Sequence, residues 1–214
     1  MKNLNLILFG LVLLASCKKE TSNNCISQGL LLQPVSATDN DTVQMLMKNN
    51  DLSVNNKQFL TYISYNGPDA QNQQVKFQVV TADQVSNGLP IFSSIIFYTF
   101  QNGTLSSLDG KVYGRVNLDT KPSLTLQALR QLFLNEAINK QGISPAFKDS
   151  CFLAQFGYYD LNITSSTDTT SNFVKAWEIR PKNSQFPRGY IRDDNEATIF
   201  FDDGLRFFNV KRDK

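Results

Sequence analysis

Three cysteines and no histidine define the chemistry open to this chain. Without an imidazole, the usual general base at neutral pH is missing. So is the His-Glu-x-x-His pair that holds catalytic zinc from successive helical turns. The sequence therefore argues against a zinc hydrolase, and it marks no catalytic, cofactor-binding or metal-binding residue. Asp193, Asp194, Asp202 and Asp203 lie close together and carry oxygens that suit calcium. The spacing of a twelve-residue calcium loop is absent, and turn chemistry accounts for them. Asp168-Thr169-Thr170 lies in a polar run without the apolar strands that would bury and perturb a carboxylate. Lys and Arg number 21 against 19 Asp and Glu, a net charge of +2 scattered along the chain, which argues against nucleic acid.

The cysteines carry more information. Met1 to Ser16 reads as a targeting segment, with Lys2 as its positive start and a mostly apolar run from Leu4 to Ala15. That run is shorter than the ~20 residues a spanning helix needs. It ends Leu14-Ala15-Ser16-Cys17, which resembles the bacterial lipobox. The resemblance implies cleavage before Cys17, diacylglycerol on its sulfur, and an envelope lipoprotein held in the outer membrane on its periplasmic or surface face. Each buried CH₂ of such an anchor contributes about 0.8 kcal/mol. The alternative is an ordinary secretory signal with a chance cysteine. Lys18-Lys19-Glu20 resembles the surface-export signal of Bacteroidetes-like lipoproteins, and a solvated tether fits it equally well. Asp168-Thr169-Thr170 and Asp41-Thr42-Val43 resemble the O-glycosylation triplet of exported proteins from such bacteria, although turn and cap roles explain them too. In an oxidising compartment Cys25 and Cys151 can pair as a disulfide; two buried thiols are the other reading. A bridge requires Cα atoms within about 7 Å.

The elements that would position these groups centre on Asn87 to Ala137. Asn87-Gly88 and Asn102-Gly103 suit tight hairpin connections. Between them the apolar run from Ile95 to Phe100 reads as a strand covered on both sides, or by a helix on one. Leu105 to Leu108 forms a shorter strand closed by Asp109-Gly110. A helix begins near Ser123 or Thr125, with Leu126, Leu129, Leu132, Phe133 and Ile138 on one stripe and Gly142 as its stop. Upstream, Asp39 to Asn50 reads as a helix capped by Asp39 or Asp41, followed by strands over Phe59–Tyr65 and Val75–Val80. Downstream, strands are expected within Cys151–Ile163, over Phe173–Ile179, at Tyr190-Ile191, over Ala197–Phe201 and over Leu205–Val210. Trp177 and the many Phe residues sit at alternating positions and read as core.

This order of elements resembles the propeptide region of thermolysin-like and fungalysin-like zinc peptidases. Gly88, Leu89, Pro90, Ile91, Phe92, Asn102, Gly103, Leu105 and Gly110 match its first motif, a Gly-hydrophobic-Pro turn between strands. Ala176, Trp177, Ile179, Tyr190, Ile191 and Asp193 match the adjoining PepSY-type domain, although Asn195-Glu196 stands where that family has Thr-Gly. The resemblance implies an α+β fold of two cystatin-like, PepSY-like halves, each a helix packed on a curled antiparallel sheet. The lipobox sets a signal peptide at 1–16 and an anchor and tether at 17–36, and the propeptide resemblance sets a first domain at 37–117 and a second, PepSY-like one at 118–214. It also implies function: a non-catalytic module whose partner is a peptidase, inhibited or chaperoned in trans. The alternative is a structural or small-ligand-binding surface lipoprotein that keeps the fold alone.

Overall fold

A computed structural model describes residues 25–163 and 170–204. Cys17 and its lipobox, Asp168, Thr169 and the strand expected over 205–210 lie outside the described residues. The strands are β1 (Ile26–Gln28), β2 (Lys57–Pro68), β3 (Gln74–Ser86), β4 (Leu89–Gln101), β5 (Thr104–Asp109), β6 (Phe152–Asp160), β7 (Phe173–Pro181), β8 (Arg188–Arg192) and β9 (Thr198–Asp202). Two helices, α1 (Ala37–Asn49) and α2 (Leu126–Leu134), interrupt them.

The expectation of two separate helix-on-sheet halves is overturned. The nine described strands form one mixed sheet in the order β2-β3-β4-β6-β7-β8-β9, with β5 added to β4 and β1 to β6. The molecule is mostly β, and its two helices are short. The physical cause is a parallel seam. The start of β4 pairs with the end of β6 (Ile91↔Tyr158, Phe92↔Tyr159), so the sheet runs unbroken past residue 117. β1 pairs in parallel with the start of β6 (Ile26↔Phe152), which draws the expected tether into the sheet. Parallel pairing joins strands far apart in sequence and leaves no hairpin signal between them. The seam is close-packed. A Cβ on Gly157 would stand 2.5 Å from the Pro90 carbonyl oxygen and 2.9 Å from the Phe92 ring, so only glycine fits there.

Both helices cover buried strand positions. Val43, Leu46 and Met47 of α1 pack on Phe59, Val80, Ala82, Ile96, Tyr98 and Phe100. Leu129, Phe133 and Leu134 of α2 pack on Phe152, Ala154, Phe156, Trp177, Ile179 and Ile191. Burying a side chain of this kind contributes about 1.5–3 kcal/mol. Ser36, not an aspartate, caps α1: its Oγ accepts from the Asp39 N–H and donates to the Asp39 carboxylate. Thr125 caps α2, its Oγ1 accepting from the Ala128 N–H. The helix then widens into a π turn over Asn135–Lys140 and stops before Gly142, at φ 68°.

Between the two helices, residues 111–118 are strapped down by polar side chains. Gln84 Oε1 accepts from the Tyr113 N–H at 2.7 Å and its Nε2 donates to the Lys111 carbonyl at 2.8 Å. Ser86 Oγ accepts from the Val116 N–H, and Asn87 Nδ2 donates to the Val116 carbonyl. Gln84 and Ser86 are buried, so these bonds remove what would otherwise be a desolvation penalty.

Cys25 and Cys151 are joined as a disulfide, with Cα atoms 4.6 Å apart. Each immediately precedes a strand of the parallel β1–β6 pair, and the Cys25 carbonyl accepts from the Phe152 N–H at 2.9 Å.

Candidate functional site

Side chains alternate across a strand, so the residues between those under the helices and strap reach the opposite face. On that face a bulge opens a cleft. The β3–β4 register jumps from Ala82↔Ile96 to Gln84↔Ile91, leaving residues 92–95 opposite Asp83. Ser94 holds the bulge: its Oγ accepts from the Gln84 N–H at 3.2 Å and donates to the Ile91 carbonyl. Such bulges bend a strand and re-aim its side chains.

The cleft encloses about 440 Å³ and is lined by Asp83, Glu178, Arg180 and Arg188 against Phe92, Phe97, Phe186 and Tyr190, with Gln155 and Gln185 at its margin. β3, β4, β6, β7 and β8 all contribute, so the site exists only because the sheet crosses the β4–β6 seam. A groove of similar volume, about 470 Å³, lies beside the end of α1, but its lining carries Lys48 as its one charge.

The electrostatics of the cleft are uneven. Arg188 binds Asp202 through Nε and a terminal nitrogen, at 3.3 and 3.2 Å, and its guanidinium lies 5.4 Å from the Phe186 ring centre. Arg180 donates to the Leu31 carbonyl. Burial raises the Glu178 carboxyl above its ordinary range, against the opposing pull of Arg188, a Tyr190 hydrogen bond and Arg180. The Asp83 side chain makes no hydrogen bond or ion pair with any described residue. Burial first, and then repulsion from Glu178, push its carboxyl up to about 6. Chemically, the cleft can accept a cation or a hydrogen-bond donor at Asp83, and it can stack an apolar body on the rings. A carboxyl that titrates near neutral pH can also exchange protons with a ligand.

The acidic residues singled out in the sequence have other duties. Asp193 is buried and accepts from the backbone N–H groups of Ser123 and Leu124 and from Trp177 Nε1. Asp194 pairs with Arg192, and Asp202 pairs with Arg188. No group of three or more His, Cys, Asp or Glu able to hold a metal occurs among the described residues. Asp41 and Thr42 lie on α1, where Thr42 Oγ1 donates to the Thr38 carbonyl. Trp177 is core, 1% exposed. No described helix is long and apolar enough to cross a membrane.

Asp83, Glu178, Arg180 and Arg188 belong to no sequence motif. The strand expected over Val75–Val80 stops where the apolar residues thin out. In fact Ala82, Gln84 and Ser86 carry the period of two onward with small and polar side chains, which was the available signal. Glu178 and Arg180 alternate with Trp177 and Ile179 and look like an ordinary solvated face. Compared with known proteins, the chain matches no family model and no curated protein.

Proposed function

We propose that the protein is a non-catalytic ligand-binding module of the cell envelope, anchored through acylated Cys17, and that the cleft is its binding site. The observation that carries this reading is the convergence of a half-buried, unpartnered Asp83 with aromatic walls in a cavity of about 440 Å³. Cavities of roughly 300–1,000 Å³ with mainly apolar walls and a few placed polar groups are where small ligands bind. The disulfide fits the anchor: Cys25 stands eight positions after Cys17, so the bridge fastens the start of the sheet close to the membrane.

A thermal-denaturation screen of small molecules tests the proposal, run on wild type and on Ile95→Trp, which places bulk on an exposed cleft wall. Compounds that stabilise wild type and not the blocked protein support the cleft. Compounds indifferent to the block, or none at all, count against it.

A second reading rests on a separate observation. Ile63 and Tyr65 on edge strand β2 are 55% and 51% exposed. A protein partner could add a strand at that edge, and kinship with peptidase propeptides would make the partner a peptidase. Unchanged hydrolysis by a thermolysin-like peptidase mixed with the full chain would remove this reading.

A further inference from the structure

We infer that the ligand of the cleft is a small organic cation, a primary ammonium on an apolar body, with its ammonium seated at Asp83 and its body against Ile95 and Phe97. The inference rests on the binding role proposed for this cleft and adds the chemical class of its occupant.

The argument is an inventory of charge. Three carboxylates, Asp83, Glu178 and Asp202, share the cleft and its rim with two guanidiniums, Arg180 and Arg188. Arg188 is committed to Asp202 and lies over Phe186. Arg180 is committed to the Leu31 carbonyl. Glu178 has a Tyr190 hydrogen bond and the attraction of both guanidiniums. One negative charge is left over, and it belongs to Asp83, which has no partner among the described residues. An anionic ligand would be repelled by that charge and could reach the guanidiniums only beside it. A cation meets a carboxylate already in place. The walls favour the same sign, because ring faces attract ammonium groups within about 6 Å. Phe97 and Ile95 keep 44% and 38% of their surface open, enough to receive an apolar body.

Proton linkage supports the assignment. A cation at Asp83 favours the ionised carboxyl and so lowers its pKa from about 6. Binding near that pH therefore releases a proton, and affinity rises with pH up to about 6 and then levels. Every charged or titratable group facing Asp83 across the cleft enters this balance: Glu178 and Arg180 of β7, Arg188 and Tyr190 of β8, and Asp202 of β9 through Arg188.

Calorimetric titration of the full chain with phenethylammonium, 2-phenylethanol, 3-phenylpropionate and glucose tests it. The expected result is binding of phenethylammonium at least tenfold tighter than of the other three. Asp83→Asn should reduce its affinity at least tenfold, and proton release should appear in buffers of different ionisation enthalpy at about pH 6. Asp83 holds no partner, so the Asn variant should fold; its thermal unfolding is the control. If the alcohol, the acid or the sugar binds as well as the amine, or if Asp83→Asn binds the amine unchanged, the cationic class is wrong while the cleft remains a ligand site. If none of the four binds wild type, and the screen against the Ile95→Trp protein is also empty, the binding role of the cleft falls with it.

Discussion

The sheet treats its sequestered carboxylates in two opposite ways. Near the start of α2, Asp193 accepts from three N–H groups, the backbone of Ser123, shared between both oxygens, the backbone of Leu124, and Trp177 Nε1, with Lys175 3.8 Å away. Asp160 is comparable. Burial would raise its carboxyl, but the N–H groups of Asn172 and Asn162 and the Lys111 ammonium at 3.0 Å outweigh burial and hold it below its ordinary value. In the cleft, Asp83 has no such support and titrates near 6. The first arrangement stabilises the fold, because each acceptor site is filled. The second leaves the fold strained at one group and ready to accept a ligand, which is how shifted titrations come to mark functional sites.

Substitutions can break or sharpen this contrast. The largest effect should come from Asp193→Ala, which strands the Trp177 N–H and two backbone N–H groups beneath α2. A loss of about 3–5 kcal/mol in denaturant unfolding is expected, since each buried donor left unpaired costs about 1–3 kcal/mol. A loss below about 1 kcal/mol would mean that Asp193 does not hold the structure, and the contrast would fail.

Next comes the Cys25–Cys151 bridge. Its removal by Cys→Ser at both positions should cost about 2–4 kcal/mol. Because it grips β1 and β6, both carboxylate regions should weaken together in hydrogen exchange. Preferential loosening of the cleft would show that the bridge serves the site more than the fold. Gly157→Ala should cost about 1–3 kcal/mol through overpacking at the β4–β6 seam. It should perturb cleft resonances more than those around Asp193, and an unchanged cleft would separate the site from the seam.

The smallest effect has the opposite sign. The Asp83 carboxyl titrates near 6 in the folded chain, against 3.8 for an ordinary aspartate. The native state therefore binds this proton more tightly than the unfolded chain does. Below about pH 4 both states are protonated and Asp83 contributes no penalty. Stability then falls as pH rises from about 4 to about 6 and stays lowered above that. Asp83→Asn should remove this slope and leave the protein about 1–2 kcal/mol more stable at pH 7.5, a figure reduced for the water that reaches the group. Unfolding curves that overlay at pH 7.5 would place Asp83 in ordinary solvent.

Much of the local structure is legible in the sequence alone. Asn87-Gly88 and Asn102-Gly103 take positive φ at all four positions, as tight hairpin turns require. The apolar stripes of both helices face the sheet, and the absence of histidine is a property of the sequence itself. These features depend on a few neighbouring residues, whose side chains and backbone preferences act over one turn or one hairpin. The sheet as a whole is a different matter. The β4–β6 and β1–β6 pairings join residues tens to more than a hundred positions apart, and Asp83 owes its raised titration first to burial in the folded sheet and then to Glu178, ninety-five positions away. Only the folded chain decides which distant strands share hydrogen bonds and which charges are left without water or partner, because both depend on what surrounds a residue in space.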